Sequence, residues 1–219
     1  ISKNNKILFW QRHLERLNLG CERLNIKKIQ ESTWISDLKK AFTLSSENNC
    51  IVKLILSRGD SLRGYGYMED ITPVRIVIIS EKKKSAAKDI FSLEFSESGF
   101  YSNPNLAGIK HCNRLEQILA RANLSSDEAI MKDENENVIS VTQGNIYLIY
   151  DGKLYTPKLD RCGVEGSRRS LIMGIARSLD IDAIESRISG DKLLQANEVF
   201  ISNSVIGIQS VSFIEESGF

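Results

Sequence analysis

Lys110 stands in the run GIKHCN, between a short apolar piece, LAGI, and a helix-forming stretch. A lysine at such a junction can sit partly desolvated at a cleft mouth, which favours its neutral amine, the form that attacks carbonyls. A solvated lysine at a strand end is the competing reading, and the preference of lysine for the surface supports it where only local residues are weighed. The run GVEGSRR, residues 163–169, sets two glycines ahead of a helix. Free N–H groups and the helix dipole can hold a phosphate there, although an ordinary glycine turn fits the same letters. Ser202-Asn203-Ser204, closing a strand, offers hydroxyl and backbone donors to an anion or is a plain polar strand end. Arg58 and Arg63 flank a Gly-rich loop and can grip a carboxylate in two-pronged fashion, or lie solvated. His13 and His111 have no companions at metal-ligand spacing, so no metal site is expected. No nucleophile elbow, Walker loop or dinucleotide fingerprint occurs.

The elements that must carry these residues follow from periodicity. Trp10, Leu14, Leu17, Cys21 and Leu24 recur at three- and four-residue steps, which predicts an amphipathic helix with Arg16 on its polar side. Ser32 or Thr33 is expected to cap a second helix through Trp34, Leu38, Ala41 and Phe42. The β-rich runs IVKLILSR and PVRIVIIS are joined by SRGDSLRGYGYMED, a long connection of the kind that carries function. Turn formers in YSNPNL suggest a linker, giving domains at 1–102 and 110–219 joined by 103–109. Beyond it come a helix through Leu115, Ile118, Leu119 and Ala122, and strands at Val138–Val141 and Asn145–Tyr150. A hairpin at Asp151-Gly152, a helix opened by Gly163–Ser167 and a last strand at Glu198–Ser202 complete the pattern.

The 29 basic and 28 acidic residues leave a formal charge of +1, so neither nucleic acid nor a membrane surface is an expected partner. No apolar run approaches bilayer length. Cys21, Cys50, Cys112 and Cys162 form no CxxC pair and no disulfide framework, which suggests a reducing cytoplasm.

Taken in order, these pieces resemble the fold-type IV enzymes that use pyridoxal 5'-phosphate (PLP), and among them the aminodeoxychorismate lyases most closely. HLERLNLGCERL is similar to the family helix whose arginine, here Arg16, meets the cofactor phosphate. SRGDSLRGYG is similar to a loop in which Arg63 and Tyr65 would face substrate. NPNLAGIKHCNRLEQILAR puts the Schiff-base lysine on Lys110, followed by Asn113. GVEGSRR resembles the phosphate loop, giving Gly166, Ser167 and Arg168, and ANEVFISNSV resembles the strand whose end supplies Asn203 and Ser204. The resemblance implies a two-domain α+β fold lacking its first N-terminal strand region, a homodimer, and PLP held between domains.

Family members begin with a strand and a DRG…YGDGxFET motif, so some of the active-site wall and part of the C-terminus are expected to lie outside this sequence. They also place a glutamate against the pyridine nitrogen where this chain has Ser140. A hydroxyl offers only a neutral hydrogen bond and a shallower electron sink, which penalises transamination more than an elimination driven by aromatisation. The activity that the resemblance implies, and with which Ser140 is compatible, is conversion of 4-amino-4-deoxychorismate into 4-aminobenzoate and pyruvate. A branched-chain or D-amino acid aminotransferase is the alternative among enzymes. An inactive relative retained for binding or dimerisation is the alternative of another class.

Overall fold

The computed structural model describes residues 1–45, 49–61, 63–82 and 88–219, and divides into two compact units, Ile1–Ser85 and Ala86–Phe219. Leu62, inside the loop singled out above, lies outside the described residues.

In the first unit, β1 (Ser2–Lys3) and β2 (Lys6–Ile7) precede α1 (Trp10–Arg23) and α2 (Glu31–Thr43). β3 (Asn49–Ser57) and β4 (Val74–Glu81) then complete a four-stranded sheet in the order β2-β1-β3-β4. α1 buries Leu14 and Cys21 of the predicted stripe. α2 buries Trp34 and Leu38, but it opens at Glu31 with Gln30 as its cap, so Ser32 and Thr33 lie within the first turn. Arg75 of β4 donates through Nε to Asp37 of α2 at 2.6 Å, fixing helix to sheet on that strand face. Arg58 donates to the carbonyls of Leu24 and Asn25 and covers the ring of Tyr67 at 3.6 Å. Its charge therefore closes the C-terminal end of α1, where the last carbonyls and the negative dipole end attract a cation.

The second unit holds two five-stranded sheets. One contains β8 (Asn145–Tyr150), β9 (Lys153–Pro157), β10 (Ala183–Ser186), β11 (Glu198–Asn203) and β12 (Gly207–Ser210), in the order β10-β9-β8-β11-β12. The other contains β5 (Ser92–Phe95), β6 (Glu128–Lys132), β7 (Val138–Val141), β13 (Phe213–Ile214) and β14 (Ser217–Gly218), in the order β14-β13-β5-β6-β7. Leu93, Ile130, Val141, Ile146, Leu148 and Ile201 belong to one buried cluster fed by both sheets. The helices are α3 (Leu115–Ala120), α4 (Ser167–Ser178) and α5 (Gly190–Leu194). Met173 and Ala176 of α4 pack with Tyr147 and Leu154. The first four residues of β8 are all buried, because alternate side chains face the inter-sheet core and α4.

The division at 85/86 falls earlier than the expected 102/103 boundary. Leu93 pairs in parallel with Glu128 of β6, and the amide of Asn103 donates to Arg161 O at 2.7 Å. Residues 103–109 are thus woven into the second unit. A turn-rich composition marks irregular backbone, and here its hydrogen bonds are supplied by neighbouring segments instead of solvent. β5 and β6 are strands that the residue pattern did not predict.

Gly163 has φ +84°, and a Cβ there would meet Ile139 Cγ2 and Leu159 Cδ2 at 2.8 Å. Gly163→Ala is therefore expected to cost about 2 kcal/mol, from left-handed backbone strain and overpacking together. Denaturant unfolding of parent and variant measures it.

Candidate functional site

Asn145 opens β8 opposite Ser202 of β11, and Tyr147 lies opposite Phe200. The period of two puts Asn145 and Tyr147 on one strand face, the face where Tyr147 packs with α4. Tyr147 stacks on Phe200 with ring centroids 4.6 Å apart, and its hydroxyl meets Ser202 Oγ at 3.0 Å. Burial pushes the Tyr147 phenol up to about 12, and the Ser202 hydrogen bond and the Arg169 charge offset only part of that. This end of the sheet is polar, and the first turn of α4 begins beside it.

Gly166 is the N-cap of α4, in extended conformation, and no side chain caps the helix. Ser167 Oγ lies 3.0 Å from Ser204 Oγ, so two of the expected phosphate contacts are brought together from segments 37 residues apart. Asn203 holds the turn that presents Ser204: its Oδ1 accepts from Val205 N and Ile206 N at 2.8 and 2.9 Å, and its Nδ2 donates to Gln143 O. Its side chain is thereby occupied in shaping that turn. Arg168 is half-buried on α4. Its neighbour Arg169, which sequence reasoning passed over, is 3% exposed, donates to Pro157 O at 2.9 Å and pairs with Glu185 at 3.0 Å. Arg169 therefore binds the first turn of α4 to β9 and β10.

Lys110 reaches the same region through backbone. Gly108 and Val164 form a parallel bridge, in which Gly108 N donates to Gly163 O at 3.0 Å and Glu165 N donates to Gly108 O at 2.9 Å. The bridge ties the residues just before Lys110 to the turn that leads into α4. Ile109 is fully buried while Lys110 is exposed, as in the solvated of the two readings open from its local residues. His111 is depressed below its ordinary range by burial and then by the charges of Arg114 and Lys110. Ser140 is buried in β7 opposite Met131.

Arg16 is half-buried on α1 of the first unit, and Arg63 and Tyr65 are exposed in its long loop. Among the described residues no group of three or more His, Cys, Asp or Glu is placed to hold a metal ion, and no helix is long and apolar enough to cross a membrane.

The α+β arrangement of these sheets and helices is that of the fold-type IV, PLP-dependent enzymes. The chain belongs to the aminotransferase class IV family, which it matches over residues 2–214 and whose enzymes are PLP-dependent. It is 31% identical to an aminodeoxychorismate lyase of Vibrio harveyi over 97% of this chain and 80% of that one. The structure of 4-amino-4-deoxychorismate lyase from Pseudomonas aeruginosa superposes with a TM-score of 0.91 at 33% identity, covering all of this chain and 82% of the other. A D-alanine aminotransferase of Listeria innocua is 24% identical over 97% of this chain and 75% of its own length.

Tyr147 has its pKa raised above the ordinary value of 10, so the stability gained from burying the neutral phenol is complete below pH 10 and is lost as pH rises through about 12. An ultraviolet titration should contain a phenolate component appearing near pH 12 that is missing from Tyr147→Phe.

Proposed function

We propose that the protein is a 4-amino-4-deoxychorismate lyase, releasing pyruvate and 4-aminobenzoate. The observation that carries this reading is the similarity to two lyases along nearly the whole chain, and the Gly108–Val164 bridge and the Ser167–Ser204 contact support it. When bound, PLP supplies a carbonyl that captures the substrate amine and a ring that accepts an electron pair.

The helix terminus at Gly166–Arg168 and the hydroxyls of Ser167 and Ser204 hold the phosphate, since an anion is stabilised by fixed donors and by the dipole. Asn203 acts through its turn. Lys110 removes the proton from the substrate ring carbon that bears nitrogen. The neighbouring ether C–O bond then breaks, the enolpyruvyl group leaves and takes up a proton as pyruvate, and the ring becomes aromatic. This sequence balances without water or an acceptor. Ser140 suits it: where the family resemblance sets a residue against the ring, a neutral hydroxyl would leave less opportunity for the slower reprotonation that transamination needs. The roles of Arg16 in phosphate retention and of Arg63 and Tyr65 at the substrate carboxylate rest on the family resemblance. A cytoplasmic homodimer belongs to the same reading.

An aminotransferase shares the lysine and the cradle but needs an amino acceptor. Pyruvate should therefore appear from 4-amino-4-deoxychorismate with no acceptor present, and Lys110→Ala should lower the rate by at least about a thousand-fold, as loss of a group essential to the chemistry does. Borohydride reduction with PLP followed by peptide mapping should place the adduct on Lys110. A parent that forms the adduct yet yields product only when an amino acceptor is added would establish the transferase instead.

A further inference from the structure

Val164 sits in a turn that is gripped from two sides. Toward the lysine segment, its neighbours Gly163 and Glu165 bond to Gly108. The carbonyl of Val164 itself points the other way and accepts from Asn145 Nδ2 at 2.9 Å. The other half of that amide also meets the turn, because a Cβ built at Gly166 would overlap Asn145 Oδ1. Gly166 has ordinary extended dihedrals, so glycine is required there by the presence of Asn145 and not by backbone conformation. Asn145 is 7% exposed and is fixed by its pairing with Ser202, two residues before Ser204. One buried amide thus connects the strand end leading to Ser204, the turn bridged to the lysine segment and the cap of α4.

We propose that Asn145 is a positioning residue that sets the phosphate cradle in register with Lys110, an inference that rests on the phosphate-binding reading above. It holds Val164 O and fills the space beside Gly166, and so decides where the first N–H groups of α4 and Ser167 Oγ stand relative to the lysine. A ligand that engages only the lysine is indifferent to that register, whereas one that must reach lysine and cradle together is sensitive to it.

The test compares PLP with pyridoxal, which lacks the phosphate, by fluorescence titration of the whole chain as parent, Asn145→Ala and Asn145→Asp. Asp keeps the shape and loses the donor to Val164 O, so it covers the case in which Ala disturbs folding. In the parent, PLP should bind more tightly than pyridoxal. Both variants should lose on the order of ten-fold of that preference, the scale of one buried hydrogen bond, while pyridoxal affinity changes less than about two-fold. Gly166→Ala should lower the preference in the parent but add little in the Asn145→Ala background, where the space is open. Variants that keep the full preference, whatever their melting temperatures, would overturn the positioning role and leave the phosphate reading intact. A parent with no preference for PLP would overturn the phosphate reading, and the inference with it.

Discussion

The burial of β8 on both faces is the constraint from which the second unit is built. Ile146 and Leu148 enter the cluster between the sheets, and Tyr147 packs with Met173 and Ala176 of α4. A strand in that position cannot slip by one residue, since a slip would exchange every side chain between two differently shaped cores. Its register against β11 is therefore fixed, and Asn145 must face Ser202. The polar residues at that strand end are carried to α4 by the same packing that buries the apolar ones behind them. Burying a side chain such as Ile146 or Leu148 contributes about 1.5–3 kcal/mol, against about 1 kcal/mol for a hydrogen bond, so the core sets the frame and the polar contacts adjust within it.

Glycines allow the close approaches that this frame demands. Gly108 and Gly163 both have positive φ and meet across the bridge that carries Lys110. Gly163 also accommodates Ile139, the residue before Ser140, so the strand carrying the expected ring contact packs on the turn carrying the expected phosphate contact. Arg169 adds a charged tie from beneath, where its buried guanidinium pairs with Glu185 and bonds to Pro157 O. Such a pair holds position more than it adds net stability, because desolvation offsets much of the attraction. Lys110 itself is exposed.

In the first unit the arginines divide by role. Arg58 closes α1 and Arg75 ties α2 to its sheet, so both are parts of the frame. Arg63 and Tyr65 are exposed on the long loop. The two arginines that flank the Gly-rich loop differ in that Arg58 is bound to the helix end at Leu24 and Asn25.

The sequence by itself determined the helices at Trp10–Arg23 and Ser167–Ser178 and the strands around Val138 and Asn145. Those features are local, resting on side-chain period and on turn chemistry. Only the tertiary structure decided that residues 103–109 bind into the second unit, that β5 pairs with β6, and that Ser167 meets Ser204. It also decided that Arg169 and not Arg168 is the buried tie, and that Asn145 spans turn and strand. Adjacent arginines on a helix differ only in which way the helix is turned, and an asparagine at a strand start shows nothing of the turn it will meet about twenty residues on. Both are settled by packing between segments far apart in the chain, which no local periodicity records.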